Sequence, residues 1–191
     1  MGVGVNEIVV CGFDKAMFGC RLSMNSVDKM DSDFYRFGEN DLKLAKKLFQ
    51  NGTSHAAFMR QIQVWFRLRA PVFFWKHWDK YKWIHRLDNE IEERSESVMH
   101  GIMKQPLKQD DFCYELNPTI LNILNSYIDR NEFHSLVNHL PQSYMQERMI
   151  NTNLSVILEM VNQRKNHRLK EWSEFINQIR SIVYIDEFLD W

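Results

Sequence analysis

The stretch "RLRAPVFFWKHWDKYK", residues 67–82, changes its period at a proline. Upstream, from Gln61 to Arg69, apolar and polar residues alternate: Ile62, Val64, Phe66 and Leu68 on one side, Gln61, Gln63, Trp65, Arg67 and Arg69 on the other. A period of two belongs to a strand with one buried face. After Ala70, Pro71 has its φ preset for a first helical turn. Phe74, Trp78 and Tyr81 then recur at spacings of three and four, which predicts a helix entered directly from the strand. Lys76 and Lys80 lie one turn apart on another side of it, so cations and aromatics share one helix.

Outward from this segment, Ile8 to Cys11 is a short apolar run ended by Gly12 and reads as a strand. Asn40 precedes "DLKLAKKLFQNG", where Leu42, Leu44, Ala45 and Leu48 have helical spacing and Gly52 supplies a left-handed stop. Residues 84–97 are strongly charged and punctuated by Asp88-Asn89, and read as a loop or short helix. Asn117-Pro118 opens a helix with the stripe Ile120, Leu121, Leu124, Tyr127 and Ile128. "HLPQSYMQERMIN", residues 139–151, breaks the periodicity. Thr152 or Asn153 then caps a helix bearing Val156, Ile157, Met160 and Val161, and a last helix carries Leu169, Trp172, Ile176, Ile179 and Val183. The chain reads as α+β, richer in helix than in strand.

The 191 residues contain no repeat, Pro/Gly linker or low-complexity tract, and residues 1–191 are expected to form a single domain. Apolar residues make up 45% and charged residues 26%, which excludes disorder, and a formal charge of −1 leaves no global field for nucleic acid or an anionic membrane. An anion site must therefore be a local concentration of cations. No run approaches the ~18 apolar residues of a membrane span, and the amino terminus has neither a basic lead nor a long apolar core. Cys11, Cys20 and Cys113 are odd in number and lack metal spacing, so free thiols and a cytoplasmic setting are expected. The seven histidines form no ligand pattern and no metal is expected.

With these elements in place, "RLRAPVFFWKHWDKYK" resembles the strand, Ala-Pro and aromatic-rich helix of the flavin-dependent thymidylate synthases (ThyX), where the helix ends in Arg-His-Arg. Lys80-Tyr81-Lys82 stands at that triplet. Allowing a two-residue insertion, "NEIEERS" supplies Asn89, Glu90 and Arg94 of the signature that follows, with Glu92 for its second serine and Ser95 for its tyrosine. "AMFGCRLSM" resembles the segment whose serine contacts flavin, making Ser23 the counterpart, and "NGTSHAAF" the Gly-His segment, with His55 the match. "LPQSYMQERMINTNLSVILEMVNQRKNHRLKEW" follows the family's late Leu-Pro, Arg, Asn, Leu-Arg and His succession, with Ser155 where an arginine is common. Residues 101–139 match only as helices.

The resemblance implies a ThyX-like fold, an antiparallel sheet flanked by helices. It implies a nucleotide site of Lys80, Lys82, Glu90, Arg94, Arg148 and Arg164, and a flavin site of Ser23, His55, Tyr81, Asn89 and Asn153. The implied reaction carries a methylene group from methylenetetrahydrofolate to C5 of dUMP and reduces it with hydride from FADH2, which NADPH regenerates. The implied assembly is a homotetramer with sites between subunits, and a shortened chain of this kind suits a phage or bacterial genome. Arg94, Arg148 and Arg164 are expected to converge on the nucleotide, since a guanidinium offers a planar fork to phosphate or carbonyl. Lysines at 80 and 82 keep the charge but lose the fork. Glu92, if turned inward, would repel a phosphate by about 1–4 kcal/mol.

Two other readings compete. One is a nucleotide-binding relative that has lost methylation and acts by sequestration. The other is a single-strand surface made from Trp65, Trp75, Trp78 and Trp83 with the cations around them, opposed by Asp88, Glu90, Glu92, Glu93 and Glu96 on its flank. Taken singly, Arg67 and Arg69 read as solvent-facing strand residues, Arg148 and Arg164 as partners of Glu147 or Glu159, and the tryptophans as packing.

Overall fold

The computed structural model describes residues 2–82, 91–180, 182 and 184–189. In chain order the first elements are β1 (Gly4–Cys11), α1 (Phe13–Ser23), α2 (Glu39–Gln50), β2 (Gln63–Pro71), α3 (Val72–Trp78), β3 (Glu92–Ser95) and α4 (Val98–Gly101). They are followed by α5 (Pro118–Asp129), α6 (Phe133–His139), β4 (Met145–Asn153), α7 (Leu154–Arg164), α8 (Lys170–Ile179) and α9 (Ile185–Phe188). Two 3-10 segments, His55–Gln61 and Asp79–Lys82, lie before β2 and after α3.

The four strands form one antiparallel sheet in the order β1-β2-β4-β3. Its inner face is the alternation read from the sequence. Ile62, Val64, Phe66 and Leu68 are fully buried, and Ile150 of β4, opposite Phe66, joins them. Aromatic rings from α3 and α8 cover this face. Trp78 and Phe175 lie 6.2 and 6.1 Å from Phe66, Phe74 lies 4.6 Å from Trp172, and Trp78 stacks on Trp172 with an interplanar angle of 11°. Each such ring removes on the order of 150–250 Å² from water, which makes this cluster the main apolar contribution of the core. Pro71 is the last strand residue and the helix cap (φ −71°, ψ 155°), so the helix starts one residue later than expected, and the Trp75 indole donates back to Ala70 O at 3.0 Å across the corner.

Two strands depart from the sequence reading. β4, which covers the second half of the segment read as a break and runs on through Thr152 and Asn153, pairs with β2 over nine consecutive positions. Its inward side offers Arg148, Ile150 and Thr152 rather than a run of apolar residues, so no period-two signal exists to find. Residues 92–95, read as loop or short helix, form the edge strand β3, held by backbone pairing to β4 rather than by any apolar side of its own. Residues 83–90 lie outside the described residues.

A second, smaller cluster gathers Ile102, Leu107, Phe112, Leu116, Leu124 and Leu136 beneath α5 and α6. It is too small to cover the first turn of α5, so Ile120, expected in the buried stripe, is exposed. The Tyr114 hydroxyl, donating to the buried Glu171 carboxylate of α8, ties this part to the main layer.

At the other end of the sheet, Gly12 turns β1 into α1 with φ +96°, and a Cβ there would lie 2.8 Å from Gln61 O. α2 begins at Glu39 rather than after Asn40, because Asp31 accepts the N–H groups of Asn40 and Asp41 at 2.8 and 2.9 Å and thereby caps it. α1 and α2 are joined by the buried pair Arg21–Asp41 at 2.5 Å, and Asp41 also accepts the N–H groups of Asp31 and Ser32. Burial disfavours the Asp41 carboxylate, but hydrogen bonds from Ser32, Arg21 and the two N–H groups outweigh it and hold the group below its usual range. Its contribution is therefore present at neutral pH and lost only as the pH falls below the ordinary carboxylate range. Arg21→Ala leaves that carboxylate buried without its cation and is expected to destabilise the fold by about 3–5 kcal/mol, read from urea unfolding at pH 7.

Candidate functional site

Where α7 ends, the Arg164 side chain lies over the rings of Trp172 and Tyr81, with its guanidinium carbon 5.2 and 5.4 Å from their centroids. Arg164 Nε donates to the Tyr81 hydroxyl at 2.6 Å. Tyr81 itself is a core residue, 3% exposed, packed 5.8 Å from Trp172. Burial raises its phenol above the usual range, although Arg164 opposes this. Around this contact stand Lys80 and Arg168, both exposed, and the imidazoles of His77 and His167, whose centroids are 5.7 Å apart. Burial, followed by Lys80, Arg164 and Arg168, holds His77 below its ordinary value. His167 is lowered by burial and then by Arg164, His77, Arg168 and Lys80. Among the described residues the charges named as acting on the two imidazoles are positive, which makes the cluster electrostatically complementary to an anion.

A separate concavity of about 460 Å³ opens between the end of α1, α2 and the 3-10 segment His55–Gln61. Cys20, Met24, Leu44 and Leu48 provide apolar walls, while Ser23, Lys47, Ser54 and His55 line it with polar groups. The Ser23 hydroxyl donates to Cys20 O at 2.8 Å, which leaves its lone pairs free to accept from a ligand. The mixture of apolar walls and a few convergent polar groups, at this volume, suits part of a large aromatic cofactor.

No family model matches the sequence, and no curated protein is significantly similar to it. Solved structures do match. Thymidylate synthase X from Helicobacter pylori, with FAD and dUMP, superposes with a TM-score of 0.74 at 13% identity, covering 98% of this chain and 97% of that one. A second structure of the H. pylori enzyme, complexed with FAD and dUMP, gives 0.71 at 13% identity and 98% coverage of both chains. The UMP/dUMP methylase PolB from Streptomyces cacaoi, bound with 5-Br dUMP, gives 0.67 at 14% identity, covering 95% and 90%. The chain has the ThyX fold. The agreement spans nearly the whole chain, including the helical region 101–139 that carries no motif.

Within the ThyX fold the expected site residues divide into groups. Lys80, Tyr81 and Arg164 meet at the basic cluster, and Ser23 and His55 line the same concavity. Asn153 caps α7, its side chain accepting the Val156 N–H at 3.1 Å, and is 6% exposed. The backbone of Lys82 closes the 3-10 segment, while Asn89 and Glu90 lie outside the described residues.

The three arginines do not converge within one chain. Arg94 pairs with Met149, one position from Arg148, and adjacent strand residues point to opposite faces. Arg148 faces inward, lies 4.0 Å from the Trp75 ring and is paired with Glu93 at 2.5 Å and Asp79 at 3.5 Å. Its partner is Glu93, not Glu147. The same parity turns Glu92, opposite Asn151, to the outer face, so the inward carboxylate is Glu93, which neutralises Arg148. Trp75 and Trp78 are in the core, Arg67 pairs with Glu7 and Glu147, and Trp83 lies outside the described residues. Among the described residues no group of histidine, cysteine and acidic side chains is placed to hold a metal, and no helix is long and apolar enough to cross a membrane. The cysteines are free thiols.

His77, His167 and Arg168 were not foreseen, since nothing in their sequence spacing brings them together. The two imidazoles, held below their ordinary value, take up protons sooner in the unfolded chain, so folding stability falls as the pH drops through about 6.5. The thermal midpoint is expected to decline between about pH 7.5 and pH 5.5, and His167→Gln to flatten that decline, as differential scanning fluorimetry can read.

Proposed function

We propose that this protein binds dUMP at the Lys80–Arg164 cluster and FAD in the Ser23–His55 concavity, and that its reaction is the reductive methylation of dUMP. The observation that carries this reading is the meeting of Lys80, Tyr81 and Arg164, chosen from distant segments by resemblance, in one basic cluster of a ThyX fold. Arg164 and Lys80 hold the nucleotide's phosphate or uracil carbonyl, Arg164 being oriented by the Tyr81 hydroxyl. Ser23 and His55 orient the flavin, with Lys47 available to a cofactor phosphate. Reduced FAD, when bound, supplies the hydride, methylenetetrahydrofolate the one-carbon unit and NADPH the reducing equivalents.

Assembly belongs to the same proposal. The outer sheet face carries Val9 and Met149, 48% and 40% exposed, beside Trp65, with Arg67, Arg94 and Glu92 around them. A second copy packed there buries the apolar centre and is the route by which Arg94 reaches a nucleotide, as a homotetramer with shared sites requires. Three free thiols accord with a cytoplasmic protein.

One observation favours a second reading. Tyr81, where the resemblance places a flavin-contacting histidine, is buried and engaged with Arg164, which suits a protein that binds the nucleotide without methylating it. Single-stranded nucleic acid has no such support, because Trp75 and Trp78 lie in the core rather than on a stacking surface.

Purified protein is expected to be yellow or to take up FAD on titration, and to release tritium from C5-labelled dUMP. FAD uptake without tritium release selects the second reading, and protein that binds neither FAD nor dUMP excludes both. Arg164→Ala is expected to weaken dUMP binding about ten- to a hundredfold, the loss of a charge-assisted contact, with the circular dichroism spectrum unchanged. Light scattering is expected to give four copies, and Met149→Glu to reduce that number.

A further inference from the structure

His77 belongs to α3 and His167 to the connection between α7 and α8, yet their rings lie 5.7 Å apart and nearly perpendicular, at 77°. Among the described residues, the charges that face them are Lys80 after α3, Arg164 at the end of α7, and Arg168 before α8. Among the carboxylates of these elements, Asp79 lies 3.5 Å from Arg148, Glu171 accepts from Tyr114, and Glu174 accepts the Val3 N–H at 2.9 Å and lies 3.7 Å from Lys170, while Glu159 accepts from Gln163 at 2.5 Å and is the carboxylate whose charge reaches Tyr81. His167 Nδ1 accepts the Leu169 N–H at 3.1 Å, so the proton of the neutral ring sits on Nε2, which remains a donor. His77 Nδ1 is buried and has no hydrogen-bond partner among the described residues. Two imidazoles among three permanent cations resist a further proton until a dianion offsets the repulsion.

We propose that His77 and His167 form the phosphate end of the nucleotide site and take up protons from solvent when a dianion binds, coupling ligand affinity to pH. This rests on the nucleotide reading above and adds the group recognised and its regulation. The sign follows from linkage. A dianion favours the protonated rings, so affinity rises as the pH falls towards the ordinary imidazole value. The Tyr81 phenol, raised by burial, stays neutral throughout. A phosphate monoester loses its own second charge near pH 6, which opposes the effect for dUMP, whereas sulfate remains a dianion.

The test is calorimetric titration of the full chain with sodium sulfate and with dUMP at about pH 8 and pH 6, in two buffers of different ionisation enthalpy. Sulfate affinity is expected to rise about fivefold at the lower pH, with net proton uptake, and His167→Gln to reduce that rise below about twofold. His77→Gln should do the same. If its partly buried ring proves necessary for folding, His167→Gln carries the test, with circular dichroism confirming its fold. Sulfate affinity equal at both pH values, no sulfate binding at pH 6, or a full pH response in folded His167→Gln overturns the proposal. If dUMP binds while sulfate shows no pH response, the nucleotide reading stands and the histidine coupling falls. If dUMP binds at neither pH, the nucleotide reading falls, and the sulfate data still decide whether the pair is a proton-coupled anion site.

Discussion

The molecule depends on the covering of one sheet face by aromatic rings. Val64, Phe66, Leu68 and Ile150 form a flat apolar surface that must leave water, and Phe74, Trp78, Trp172 and Phe175 are the surface that meets it. Because those rings come from α3 and α8, the contact also fixes where the two helices end. Tyr81, one turn beyond Trp78, is carried into the core, and its hydroxyl holds Arg164. The basic cluster is thus the polar rim of the apolar core, with Lys80, Tyr81 and Arg164 positioned by packing and His167 and Arg168 supplied by the connection between α7 and α8. Such support suits a binding site, since rigid neighbours limit the conformational entropy lost when a ligand is held.

Charge is distributed unevenly around this rim. Arg148 rests on Trp75 but is met by Glu93 and Asp79, so its positive charge is already compensated. Arg164 has the Tyr81 phenol and the Tyr81 and Trp172 rings for neighbours, and among the described residues the charges acting on the histidines beside it are cations. A compensated arginine contributes to folding, and an uncompensated one retains affinity for an anion. This difference, rather than the count of arginines, is what the proposed binding role of Arg164 rests on. It also shows why a motif-based expectation of three convergent guanidinium groups fails within a single chain.

Much of the fold was legible in the sequence. β2 and the helix after Pro71 announced themselves by a change of period, α7 and α8 by apolar stripes that are largely buried in the structure, and α2 by a stripe of which Ala45 is buried and Leu42, Leu44 and Leu48 are partly buried. β4 and β3 were illegible because backbone pairing holds them, with polar side chains on most positions, and hydrogen-bonded ladders leave no compositional trace when neither side is apolar. Of the residues gathered in the two candidate sites, Ser23, His55, Lys80, Tyr81 and Arg164 were named through motif resemblance. His77, His167 and Arg168 were not, because α7 and α8 must fold back on α3 before they become neighbours.

The sequence by itself determined the kind of structure: which segments turn an apolar side inward, where helices can start, and that any anion site must be local in a chain of formal charge −1. Those properties reside in the period and type of neighbouring residues, so they survive reading one segment at a time. Only the tertiary structure decided which cations stand together. Arg94 and Arg148 are separated by the parity of a strand register, and Arg148 is neutralised by a carboxylate 55 residues away. Charge interacts through space, and its partners are chosen by register and packing, which no single segment contains.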